Sequence, residues 1–160
     1  GKVAAHNMFL FLDRKSKIDG IEPEGATPED NMQIGRFEFK DVRFFYPFRP
    51  DVQVLKGMSF VIEAGQSVGV VGPSGGGKST VMAMIQRFYD PQSGSVLIGQ
   101  QGMALSQVNI RWWRKKVGFV GQEPILFDDT VLANVKYGLD EGEEVSEEYL
   151  KQCKEMANLN

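Results

Sequence analysis

Gly72-Pro73-Ser74-Gly75-Gly76-Gly77-Lys78-Ser79-Thr80 matches the pattern G-x-x-x-x-G-K-[ST] at every fixed position. The flanks give that match its meaning. Upstream, Ser67-Val68-Gly69-Val70-Val71 reads as a buried strand. Downstream, Val81, Met84, Ile85 and Phe88 recur at the i, i+3, i+4, i+7 spacing of a helix face. Glycines in such a loop let backbone N–H groups turn inward and approach an anion with no Cβ in the way. The helix that follows presents unpaired N–H groups and the positive end of its dipole to the same anion. Lys78 supplies a mobile charge for the β- and γ-phosphates, and the Ser79 hydroxyl can ligate Mg²⁺. A glycine turn that contained Lys-Ser by chance would need neither flank. The motif therefore predicts a site for a nucleoside triphosphate.

Composition sets the bounds. The chain has 160 residues, enough for one modest domain, with 42% hydrophobic and 24% charged residues, ordinary for a globular protein. A net charge of −3 argues against nucleic acid as a partner. No run approaches the length of a membrane span, and Asn7 to Leu12 is too short for a secretory signal. The single cysteine, Cys153, cannot form an internal disulfide. The opening lacks Met and the terminal segment from Lys151 reads as a helix with nothing after it to pack on, so a piece of a longer protein is expected.

Along the chain, residues 1–15 carry Val3, Met8, Phe9 and Leu12, the pattern of a short amphipathic helix. Residues 16–34 are polar, contain Pro23, Gly25 and Pro28, and read as a linker. Strands are expected at Phe37–Tyr46, around Met58–Ile62, at Ser95–Ile98 and at Val117–Val120. Helices are expected at Asn109–Lys116, with one Trp inward and the cations outward, at Thr130–Tyr137, and after Ser146. The acidic run 140–148 reads as a solvated loop.

Three further features narrow the chemistry. Phe44-Phe45-Tyr46-Pro47-Phe48-Arg49-Pro50-Asp51 precedes the loop, and an aromatic there can stack on a purine. Tyr89-Asp90-Pro91-Gln92-Ser93-Gly94 follows the loop helix. Val117-Gly118-Phe119-Val120-Gly121-Gln122-Glu123-Pro124 sets an amide at the end of an expected strand, the ligand edge of a parallel sheet. In that order, over about residues 34–160, the motifs resemble the nucleotide-binding domain of an ATP-binding cassette exporter of the multidrug-resistance subfamily.

The resemblance implies an α/β fold: a phosphate-loop NTPase core with an antiparallel β subdomain. It implies residues 1–33 as a linker from a transmembrane domain. Tyr46 falls where the family stacks adenine, Arg49 and Val54 where it flanks base and ribose. Residues Gly72 to Thr80 match the Walker A motif, and Gln122 the glutamine that reaches metal and water. Implied ligands are ATP and Mg²⁺, with Ser79 and Gln122 toward the metal. Implied partners are a second nucleotide-binding domain and the transmembrane domains of a parent membrane protein, with this part at the cytoplasmic face. In the family, the signature motif, Walker B aspartate, catalytic glutamate and switch histidine follow that glutamine; none is found here, so the chain is expected to stop before them and to lack catalytic residues of its own. Two other readings stay open: a non-catalytic nucleotide-binding regulatory module ending naturally at residue 160, and a phosphate-loop kinase, which would bear an arginine-rich lid not seen here.

Overall fold

The structure is a computed structural model that describes residues 2–21, 23–28, 34–123, 125–140 and 142–158. Parts of the expected linker (22, 29–33), Pro124, Glu141 and the last two residues of the expected terminal helix lie outside the described residues. The chain divides into two units, residues 1–118 and 119–160.

The first unit is built on β1 (Phe37–Phe45), β2 (Gln53–Ile62), β3 (Ser93–Ile98) and β4 (Met103–Ala104), all antiparallel in the order β2-β1-β3-β4. In β1 simple alternation would send Phe39 and Val42 to opposite faces. Asp41 prevents this. It sits at φ 43, donates its N–H to Ser59 Oγ at 2.9 Å, and marks a register shift between Phe39 and Val42. The extra residue re-phases the strand, so Phe39, Val42 and Phe44 are all buried. Phe39 stacks on Phe60 of β2 with ring centroids 4.4 Å apart.

Helices α2 (Lys78–Ile85) and α3 (Ile110–Lys116) complete this core. Val81 and Met84 are buried beneath α2, as their spacing predicts. The expected reach to Phe88 is corrected, since α2 ends at Ile85 and Phe88 is exposed. Arg87 causes the break. It takes φ 50, and its guanidinium donates to the carbonyls of Val108 at 2.5 Å and Ser106 at 2.6 Å and pairs with Asp90 at 3.1 Å. On α3, capped by the Asn109 side chain, Trp113 is 1% exposed while Arg111, Arg114, Lys115 and Lys116 face solvent. The Trp113 Nε1–H donates to Ile85 O at 2.8 Å, satisfying a carbonyl that the end of α2 leaves free.

The first helix forms as α1 (Lys2–Leu12), but Val3, Met8, Phe9 and Leu12 are exposed rather than buried on one face. The stretch read as linker makes ordered contacts. Ala26 bridges to Val108, with N–H and C=O bonded to Gln107 and Asn109, and Ile18 packs against the core.

Two expected strands are corrected. Residues 67–71 and 117–120 pair with no strand among the described residues, and Val71 is 91% and Val120 96% exposed. The valine-rich pattern reports suitability for a sheet, whereas a strand exists only where its N–H and C=O groups meet a neighbour's.

The second unit contains α4 (Val131–Lys136) and α5 (Glu147–Met156). Thr130 Oγ1 accepts from Ala133 N at 3.1 Å and Ser146 Oγ from Tyr149 N at 3.2 Å, each satisfying an N–H that a helix start leaves unpaired. Glu147 and Glu148 lie in the first turn of α5, favourable to its dipole. Phe127 stacks on Tyr137 with centroids 4.1 Å apart, and Asn134 ties down the Phe127 backbone through bonds of 2.7 and 3.1 Å.

Candidate functional site

The loop from Gly72 to Gly77 runs directly into α2, with Gly77 as its N-cap at φ 84. Only glycine suits that position. A Cβ there would lie 2.9 Å from Leu55 Cδ2, in a region of φ that side chains disfavour. Gly77 therefore seats the start of α2 against β2. The first N–H groups of α2, from Lys78 to Thr80, belong to the turn that has no intrahelical acceptors. Lys78 curls over its own loop, where its ammonium donates to Gly72 O at 2.8 Å and Pro73 O at 2.7 Å. Gly76 N–H closes the turn onto Pro73 O at 3.1 Å. Gly72, Pro73, Ser74 and Gly76 form its exposed crest, and the Ser79 side chain is also exposed.

Beside the loop is the connection from β1 to β2. Pro47 and Pro50 end the strand pattern, and Arg49 N–H to Tyr46 O at 2.9 Å and Val52 N–H to Arg49 O at 3.2 Å fold the segment into successive turns. Tyr46 is locked in place. Phe44 and Tyr89 meet it edge-on at 5.0 and 5.4 Å, and its hydroxyl is hydrogen-bonded to Thr80 Oγ1 at 2.9 Å. That bond ties the aromatic segment to the first turn of α2.

A cleft of about 400 Å³ results. One wall is Tyr46, Phe48, Arg49, Val52 and Val54; the other is Gly75, Gly77, Lys78, Ser79 and Thr80. Its size falls within the range of small-ligand sites. One wall offers aromatic and aliphatic surface, the other N–H donors, an ammonium and a hydroxyl. A molecule with a flat apolar end and an anionic end suits both. The structure thus brings Tyr46, Arg49 and Val54 together with Gly75, Gly77, Lys78, Ser79 and Thr80, while Gly72, Pro73, Ser74 and Gly76 do not line the cleft. Gln122 belongs to the second unit, in an exposed bend.

Sequence reasoning missed two features. Phe48 lines the cleft and stacks on Tyr46, and Thr80 anchors the Tyr46 hydroxyl. The run of aromatics from Phe44 to Phe48 was the available signal for the first. Nothing local signals the second, because its partners stand 34 residues apart.

Residues 55–159 match the family model described as "ABC transporter". "Multidrug resistance protein 1" of Entamoeba histolytica is 46% identical over 98% of this chain, and "ABC transporter B family member 3" of Dictyostelium discoideum is 41% identical over 100% of it. The chain spans 12% and 11% of the lengths of those two relatives. The solved "Structure of a bacterial Atm1-family ABC exporter with ATP bound" is 31% identical with a TM-score of 0.79, covering 98% of this chain and 26% of that one. The α/β architecture with its antiparallel sheet is that of this exporter's matching part. Since the family match takes in more than half of the sequence, including the whole glycine loop and α2, the chain belongs to the ABC transporter family.

Proposed function

We propose that this chain binds ATP with Mg²⁺ in the cleft between Tyr46 and the glycine loop, as part of the motor domain of an ATP-driven exporter of the multidrug type. The observation that carries this reading is the meeting of an aromatic platform and an N–H-rich helix start in one cleft, joined by the Tyr46–Thr80 bond. Adenine stacks on Tyr46, with Val54 and Arg49 flanking base and ribose. The triphosphate takes the N–H groups from Gly75 to Thr80, and the Lys78 ammonium exchanges the carbonyls of Gly72 and Pro73 for phosphate oxygens. The solved exporter that the chain resembles has ATP bound.

The residues also fit Mg²⁺. Among the described residues no group of three or more His, Cys, Asp or Glu could hold a metal. Mg²⁺ in phosphate sites keeps several waters and takes phosphate oxygens, so the hydroxyl of Ser79, a residue that lines the cleft, would suffice as a protein ligand. When bound, the ion would supply charge neutralisation at the phosphates. Hydrolysis needs donors and a water-orienting group preorganised around the γ-phosphate. The motifs that supply these in the family are not among these 160 residues. In the parent, a second nucleotide-binding domain and transmembrane domains complete the machine at the cytoplasmic face of a membrane. No helix among the described residues is itself long and apolar enough to cross one.

Titration of a fluorescent ATP analogue with Mg²⁺ tests the reading. Lys78→Ala removes a charge-assisted contact worth about 1.5–3 kcal/mol, roughly ten- to hundredfold in affinity. Equal affinity of wild type and Lys78→Ala would refute it.

A further inference from the structure

The cleft contains one aromatic ring that the proposed site does not use. Phe48 is 70% exposed, yet its ring is stacked on Tyr46, with centroids 5.3 Å apart and planes 28° from parallel. The turn closed by Arg49 N–H and Tyr46 O brings it back over the platform. The two rings are held unequally. Tyr46 has Phe44 and Tyr89 against it and a hydroxyl bond to Thr80. Phe48 lies on a surface turn with most of its ring in solvent. If anything moves, it is Phe48.

The spacing decides what Phe48 does. A base clamped between two rings needs them roughly 7–8 Å apart, twice the carbon contact distance. At 5.3 Å the rings leave no such gap. We propose that Phe48 is a self-stacking cover on the base platform, which a purine must displace to lie on Tyr46. This rests on the reading that the cleft takes an adenine nucleotide, and it adds a regulated step at that site. The phosphate cradle is made of backbone N–H groups and Lys78 and does not use the ring. The cover therefore lowers the affinity contributed by the base and leaves that of the phosphates alone. The apparent affinity is reduced by the fraction of time the platform is covered. For a typical aromatic stack that is about two- to tenfold.

The experiment titrates Mg²⁺-ATP and inorganic tripolyphosphate against the 160-residue chain, Phe48→Ala and Phe48→Tyr. Phe48→Ala should tighten ATP about two- to tenfold and leave tripolyphosphate unchanged, while Phe48→Tyr, which keeps the stack, stays near wild type. Unchanged or weaker ATP binding by Phe48→Ala overturns the cover. So does equal tightening of both ligands, which would mean that the cradle itself had opened. A second readout needs no variant. Nuclear Overhauser contacts between the Tyr46 and Phe48 rings should be present in the free chain and vanish with saturating ATP; their persistence in the complex overturns the proposal. Failure of the wild-type chain to bind ATP at all is a separate result, and it removes the site together with its cover.

Discussion

The Tyr46–Thr80 hydrogen bond makes a quantitative prediction, because its two ends sit in different surroundings. The oxygens are 2.9 Å apart. Thr80 is 3% exposed, whereas Tyr46 is half-buried. Tyr46→Phe strips the partner from a buried hydroxyl, for which the loss is about 1–3 kcal/mol. Thr80→Val strips the partner from a hydroxyl that can turn toward water, so it falls at the lower end of that range. Replacing both removes the bond and the orphan together, and such paired replacements are close to neutral when shape is kept. The double variant should therefore be more stable than the sum of the single losses by about 1 kcal/mol or more. Urea unfolding followed by tryptophan fluorescence measures this, since Trp112 and Trp113 both lie in the first unit. The slope with urea should stay constant across the four proteins. Additivity within about 0.3–0.5 kcal/mol would refute the reasoning and mean that the two hydroxyls are not energetically joined. The same variants separate stability from binding. Tyr46→Phe keeps the stacking ring and should retain most ATP affinity, whereas Tyr46→Ala should lose about 1–3 kcal/mol of it.

Other consequences follow from the packing around the loop. Trp113→Ala empties a fully buried site and orphans the Ile85 carbonyl, so it should destabilise the first unit by about 3–5 kcal/mol in urea unfolding. Gly77→Ala forces a left-handed side-chain conformation, about 1–2 kcal/mol, and drives a Cβ to 2.9 Å from the buried Leu55, about 1–3 kcal/mol more; a wild-type melting temperature would contradict that seating. The hydrogen bond from Arg36, and then that from Lys40, holds the Glu38 carboxyl below the ordinary glutamate range. A depressed folded value contributes stability above the unfolded value, near pH 4.3, and loses it as pH falls through the lower folded one. Glu38→Gln should therefore flatten the acid limb of the stability curve below about pH 4.3, and an unchanged limb would count against the pairing.

What the sequence made legible divides along physical lines. The loop, its lysine and the caps at Asn109, Thr130 and Ser146 are short-range features, each readable within a few residues. The inward tryptophan of Arg111-Trp112-Trp113-Arg114 was legible in kind, though only the structure shows that Trp113 is the one and that it meets Ile85. Long-range events were not legible. The bulge at Asp41 depends on what β2 and β3 place beside β1, and the break at Arg87 depends on carbonyls of Ser106 and Val108 some twenty residues away.

Residues 67–71 and 117–120 show the same limit from the other side. Their valine-rich runs fit a sheet, but fit is a property of one segment and pairing a property of two. β1 satisfies both conditions, with β2 on one edge and β3 on the other. The two runs, unpaired among the described residues, satisfy the first condition alone, and their exposed Val71 and Val120 are the expected result of reading a pattern without its partner. The site shows the opposite balance. Its phosphate wall is one continuous stretch that a pattern can specify, while its aromatic wall depends on Thr80 and Tyr89 reaching back to Tyr46. For that reason Gly72 to Thr80 could be named from the sequence, and the self-stacked state of Phe48 on Tyr46 could not.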